Sequence, residues 1–321
     1  MKPSRKIQGI IFIIISALFF AVMNLFVRLA GDIPTMQKTF FRNLIALFVA
    51  FIILAKNPAK LKTAKGNMPT IILRSLFGVA GIICNFYAVD HMTISDASIL
   101  NKLSPFFVIV FSLFILKEKP SKIDWIAVAV AFGGALFVVR PSFSIDVLPA
   151  FIGVLGGLAA GAAYTLVRKA AIGGADGNII ILIFSLVTCF VSLPFLIFDY
   201  KPMEWRQLLY LLGAGVAAAI GQIFITAAYS KAPAKEISLF DYSIVIFASV
   251  LGFVFLDQIP DIFSYIGYAV IIGAAAFKWL YENAKDKRAV RVICGGEDNI
   301  AVGTDAVKSE NDFVDSEEIK H

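Results

Sequence analysis

From about residue 8 onward the chain repeats one pattern: a block of some ~20 apolar residues, then a short polar connector, the length an α-helix needs to cross ~30 Å of hydrocarbon. The blocks predict ten helices, at 8–30, 37–55, 69–89, 95–115, 122–139, 149–168, 177–198, 205–229, 236–256 and 262–281. A large soluble core would give its helices polar faces, and most of these blocks have none. After Glu282 the pattern stops. The stretch from Gly295 to His321 is acidic and too poor in apolar residues to order itself by burial.

Composition supports this reading. Apolar residues make up 59% of the 321 and charged residues only 16%, against about half and about a quarter in soluble domains. Met1 to Lys6 carries the basic flank of a signal peptide, but the apolar run from Ile7 to Ala30 exceeds the roughly 7–15 residues of a signal core. It is expected to stay as a first span. Cys84, Cys189 and Cys294 are odd in number and far apart, and His91 and His321 add no ligand set. Disulfides, metal sites and cofactors are therefore not expected.

The net charge of +6 reports topology rather than nucleic-acid binding. Alternate connectors are rich in Lys and Arg: Lys2, Arg5 and Lys6; Lys56 to Lys65; Lys117, Lys119 and Lys122; Arg168 and Lys169; Lys231 and Lys235; Lys285 to Arg288. The other side holds little beyond Lys38, Arg140, Lys201 and Arg206. That bias predicts both termini in the cytoplasm and an even number of spans.

The chain also repeats itself. A shift of 140 residues lays Leu116-Lys117-Glu118-Lys119-Pro120 on Leu256-Asp257-Gln258-Ile259-Pro260, and Val27-Arg28 on Val167-Arg168. Ile126, Ala129, Val130, Gly133, Ala135 and Phe137 fall on Ile266, Ala269, Val270, Gly273, Ala275 and Phe277. Each half then has five spans, an odd number, so the second is inverted in the membrane. Inverted repeats mark secondary transporters, with the site near the midplane between the repeats. The expected organisation is a cytoplasmic N-terminus over 1–7, repeats over 8–139 and 140–281, and a cytoplasmic, disordered tail over 282–321.

These features resemble the drug/metabolite transporter superfamily, specifically its EamA-like branch, over residues 8–281. Thr93-Ile94-Ser95-Asp96-Ala97-Ser98-Ile99-Leu100 through Leu103-Ser104-Pro105 is similar to that family's entry into its fourth helix, and Leu116 to Pro120 resembles its L-x-E-x-P exit. The second copy departs from the pattern, with Val245 in place of Pro105 and Gln258 in place of Glu118. The resemblance implies an all-α polytopic membrane protein of ten helices in two inverted repeats. It also implies a solute site between helices 1, 3, 4, 6, 8 and 9 and a place in a bacterial inner membrane.

Polar groups inside spans are costly, so each is a candidate for solute binding. Asp241 leads, as a carboxylate able to bind an ammonium group, pair with a cation or exchange a coupling proton. Lys102, beside Asn101, faces a cavity or snorkels to the outer interface. Pro105 is a candidate hinge because it removes a backbone hydrogen bond. By the repeat, Asp241 and Tyr242 correspond to Asn101 and Lys102; the Lys102 and Asp241 side chains therefore need not touch, and each could sit at its own end of a central chamber. Arg42 and Arg74 line the cavity or reach the two interfaces. Asn24, Asn85, Tyr87, Tyr164 and Gln222 add neutral hydrogen-bonding groups. Gly153, Gly157 and Gly161 share one face of helix 6 and predict close helix packing. Gly173-Gly174-Ala175-Asp176-Gly177 follows no strand and lacks a phosphate-loop lysine, so it reads as a connector.

The mixed candidates suit a carrier of a small polar metabolite, an amino acid or related compound, working as a monomer or homodimer in the bilayer by alternating access. A multidrug or hydrophobic-cation exporter is the alternative, with a membrane sensor or interaction protein acting through the tail as another. An intramembrane enzyme would need clustered His, Asp or Cys, and a channel a ring of charges. Neither pattern is present in the sequence.

Overall fold

The computed structural model describes residues 5–56, 65–91, 100–139, 147–257 and 261–295. Among them the fold is all-helical, built of ten helices in two repeats. The first repeat comprises α1 (Arg5–Leu29), α2 (Thr35–Ala55), α3 (Met68–His91), α4 (Ser104–Leu116) and α5 (Lys122–Val139). The second comprises α6 (Val147–Ile172), α7 (Gly177–Phe198), α8 (Trp205–Lys231), α9 (Ala234–Leu256) and α10 (Ile262–Gly295). Eight are each long and apolar enough to cross a membrane, and α4 is a shorter apolar helix. The chain divides into a first unit, Met1–Ala276, and a second, Phe277–His321. Within its described residues the second unit is the last part of α10, which runs on to Gly295 instead of ending near 281. The remainder of the acidic tail, the stretch 93–99 and Gln258 to Pro260 lie outside the described residues.

The main packing contacts between the repeats are symmetric under their exchange. The pairs α1–α8, α2–α8 and α1–α9 are in contact, and so are their counterparts α3–α6, α3–α7 and α4–α6. α2 packs on its own counterpart α7. Backbone geometry carries the same relation. Lys117 at φ 57° and Asp257 at φ 54° are the non-glycine residues with positive φ among those described, and they stand 140 positions apart. Each turns the chain sharply at the end of α4 or α9, and after Lys117 the Glu118 N–H bonds back to the Ser112 carbonyl at 3.1 Å, closing the π-helical last turn Ser112–Leu116 of α4. The following helices start alike. Asp124 and the Ser121 N-cap exchange hydrogen bonds at the start of α5, while Asp261 caps α10 through the Ser264 N–H and hydroxyl. The same capping pair appears with its order reversed.

Between helices in lipid there is little hydrophobic drive, so close packing through small residues holds them together. The glycine face of α6 does this against the start of α4. A Cβ on Gly157 would stand 2.7 Å from the Leu100 carbonyl oxygen, and one on Gly161 2.6 Å from the Phe107 Cβ. Gly134 of α5 meets the Gly267 carbonyl of α10, 2.9 Å from where its Cβ would be. The outward faces carry large apolar side chains such as Phe114, Phe190, Phe198 and Phe253, suited to lipid chains. Asp176 caps α7 through the Asn178 N–H at 2.9 Å, so the Gly173–Gly174 segment is a connector, with Gly174 at φ 82°.

Candidate substrate site

Helices α4 and α9 are both interrupted at one level. Lys102 and Leu103 form a turn ahead of the regular helix from Ser104, and Ser238–Tyr242 is 3-10 helix ahead of the regular helix from Ser243. Pro105 falls in the first turn of the Ser104 helix, where its missing N–H interrupts no ladder. The break therefore precedes the proline rather than bending the helix at it. The Phe106 N–H bonds to the Leu103 carbonyl, which leaves the Lys102 carbonyl off the ladder. Tyr242 Oη donates to it at 2.9 Å, a bond between residues 140 positions apart. Repeat-equivalent residues thus meet at the pseudo-twofold between the halves.

The same crossing brings Lys102 Nζ to 3.9 Å from Asp241 Oδ2, a contact that the repeat alignment left open. A 3-10 turn rises about 2.0 Å per residue against about 1.5 Å in an α-helix. The 3-10 segment therefore carries Asp241 deeper than its residue count suggests. The pair stays out of solvent, with 18% of the lysine and 12% of the aspartate side chain exposed. Asp241 does not pair with Lys235 at the end of the bundle; that ammonium donates to the Lys119 carbonyl at 2.7 Å.

Tyr164 links this pair to two arginines. Arg74 is only 2% exposed, so it does not reach an interface. Its guanidinium carbon lies 3.8 Å from the centroid of the Phe184 ring on α7. Nε and Nη1 are buried without a hydrogen-bond partner. Arg74 interacts electrostatically with Tyr164 of α6 and with Arg42 of α2, and Tyr164 in turn with Asp241. Arg42 is half-buried and also interacts with Tyr164. Burying an ion costs several kcal/mol after relaxation, of which a desolvated cation–π contact returns about 2. Arg74 is the least compensated charge in this cluster.

Tyr164 stacks on Tyr229 of α8, centroids 5.2 Å apart and planes 8° from parallel. Gln222 and Thr226 precede Tyr229 by two turns and one turn on the same face of α8. Both are buried, and Gln222 Nε2 and Thr226 Oγ1 lack partners. Asn85 and Asn101 are half-buried. Tyr87 is engaged elsewhere, stacked on His91 at 4.1 Å, and Asn24 is exposed. A small crevice between α2, α3 and α7, lined by Met36, Thr39, Val79, Ile82, Thr188 and Val191, contains no charged group and is separate from this cluster. Among the described residues no group of His, Cys, Asp and Glu is arranged to hold a metal ion.

Below the cluster, at the end where α1 begins, a polar lattice ties helix ends together. Arg168 Nε lies 3.8 Å from Glu118 Oε1, and Arg168 Nη1 donates to the Ser230 carbonyl at 2.9 Å. The Lys235 N–H donates to Glu118 Oε2 at 3.4 Å, and Lys6 pairs with Glu236 at 3.4 Å. Burial pushes the Glu118 carboxyl above its ordinary range, while the Lys235 N–H, Arg168 and the Ala234 N–H oppose the shift. The repeat-matched Arg28 is exposed instead, so the two ends of the bundle are not equivalent.

Two charged, interrupted helices meeting between inverted repeats are the expected anatomy of a carrier site, and sequence comparison agrees. The family model of the EamA-like transporter family matches residues 7–140 and again residues 148–279. The chain belongs to the EamA-like transporter family. EamA-like relatives cover most of it. The pseudopaline exporter CntI of Pseudomonas aeruginosa is 29% identical over 271 residues, 83% of this chain and 94% of its own. An uncharacterised transporter of Helicobacter pylori is 25% identical over 274 residues, covering 82% and 92%. Human solute carrier family 35 member G1 is 26% identical over 296 residues, covering 86% and 81%. A crystallised protein superposes with a TM-score of 0.74 at 16% identity, over 84% of this chain and 96% of that one, and so shares the fold. This EamA-like chain is a multi-pass membrane transporter.

Proposed function

We propose that this EamA-like chain is a secondary carrier that moves a small polar metabolite, an amino acid or related compound, across the cytoplasmic membrane by alternating access. The observation that supports it most is the Lys102–Asp241 pair where the interrupted helices cross, with the buried Arg74 and the half-buried Tyr164 near it. Charged groups inside a span are expensive to keep, which makes each a candidate for solute binding. The site residues are Asp241, Lys102, Asn101, Tyr242, Tyr164, Gln222, Arg42 and Arg74, with Asn85 at its margin. Both termini lie in the cytoplasm by the distribution of basic connectors, which puts the Glu118–Arg168 lattice on the cytoplasmic side as a closed gate. Similarity to a pseudopaline exporter favours outward movement.

Purified protein in liposomes should take up or release labelled amino acids faster than empty liposomes do. Asp241→Asn should lower the rate at least tenfold while the protein stays folded. Full transport by Asp241→Asn would remove that carboxylate from the mechanism.

A further inference from the structure

The polar atoms left unsatisfied around the crossing are unequal in kind. Arg74 Nε and Nη1 and Gln222 Nε2 are N–H donors, all buried and without an acceptor among the described residues. The other unpaired buried groups here, the hydroxyls of Thr226 and Ser238, can either donate or accept. The charges are unequal too: Arg42, Arg74 and Lys102 stand against the single carboxylate Asp241, which the lysine already engages. No carboxylate pairs with either arginine among the described residues. Phe184 covers one face of the Arg74 guanidinium, so its in-plane N–H edges are what remains for a ligand. A guanidinium edge presents two parallel donors matched to the two oxygens of a carboxylate.

We propose that the cargo is an anion whose carboxylate is gripped by Arg74 with Arg42 nearby, so that small dicarboxylates and acidic amino acids are its substrate class. This rests on the carrier reading above and narrows it. An amino group on the cargo would compete with Lys102 for Asp241 and is accepted but not required. A hydrophobic cation meets a surplus of like charge and is rejected.

The full-length protein in detergent is melted with glutamate, succinate, inorganic phosphate, glutamine or putrescine, and the same labelled probes are offered to liposomes. Succinate and glutamate should raise the melting temperature and be transported, while glutamine and putrescine should do neither. Arg74→Gln should weaken succinate binding roughly ten- to hundred-fold, the worth of a charge-assisted hydrogen bond. Arg74→Lys, which keeps the charge and loses the fork, should recover only part of it. Stabilisation by phosphate and not by succinate would overturn the carboxylate assignment. Transport of glutamine or putrescine with succinate ignored would overturn the inference and leave the carrier intact. Should no probe bind or move, the carrier reading falls with it. The ranking of probes on the unaltered protein decides the matter even if Arg74→Gln fails to fold.

Discussion

Removing Lys102 tests whether the two repeats meet through a charge pair. At the observed 3.9 Å between Nζ and Oδ2, two unit charges attract by about 4 kcal/mol at an effective dielectric constant of ~20. Part of that attraction is offset by the desolvation of both groups, because neither side chain is more than 18% exposed. Lys102→Met keeps the length of the side chain and leaves Asp241 without its counter-ion, so it should destabilise the protein by about 2–4 kcal/mol. Asp241→Asn should cost a similar or smaller amount. The double variant should lose much less than the sum of the two, with a coupling energy of at least about 1.5 kcal/mol, as expected of residues in contact. Unfolding of the four proteins by titration with sodium dodecyl sulfate in mixed micelles, followed by helical ellipticity, gives the cycle. A coupling energy near zero would refute the contact, and with it the crossing of α4 and α9 at the pseudo-twofold.

The packing supplies a contrasting pair. Gly157→Ala forces a Cβ to within 2.7 Å of the Leu100 carbonyl oxygen and should cost about 1–3 kcal/mol through overpacking. Gly133→Ala meets nothing within 4 Å and should be neutral or stabilising by up to about 1 kcal/mol; the two melting temperatures in detergent check the difference. Tyr242→Phe deprives the Lys102 carbonyl of its donor at 2.9 Å and should cost about 1–3 kcal/mol, read in the same melts. Glu118 binds its proton more tightly in the fold than the ordinary value of 4.5 allows. Its contribution to stability is therefore full at acid pH and fades as pH rises through the raised value. The melting temperature of the unaltered protein should fall across that window and that of Glu118→Gln should not; parallel profiles would mean that another group is responsible.

The fold was legible because membranes make sequence blunt. Span length, loop charge and a constant 140-residue offset are one-dimensional signals, and the structure reproduces the ten helices they predict. The glycine face of α6 was legible for the same reason, since spacing alone puts Gly153, Gly157 and Gly161 together. The site was only partly so. Asp241, Lys102, Tyr164, Arg42 and Arg74 stood out as polar groups within apolar blocks, but their mutual placement depends on where α4 and α9 leave regular α geometry. Sequence gives no measure of the extra rise of a 3-10 turn, and so it left open whether Lys102 and Asp241 meet. Tyr229 was missed because it sits near the end of its helix, where a tyrosine passes for an interfacial residue. Its position seven residues after Gln222 was the available signal. Phe184 was missed for a different reason: one phenylalanine among 30 has no mark that it covers a cation.

The matched turns at Lys117 and Asp257 reach beyond this protein. A lysine and an aspartate share no chemistry, and an alignment of the two halves scores the position as a mismatch. The backbone at both nonetheless turns to nearly the same left-handed torsion, φ 57° and φ 54°, which side chains other than glycine seldom adopt. Substitution has replaced the residues without moving the corner. Torsions at helix ends thus preserve a trace of internal duplication after residue identity has faded, and comparing them between the halves of a chain offers a way to find repeats too old for alignment.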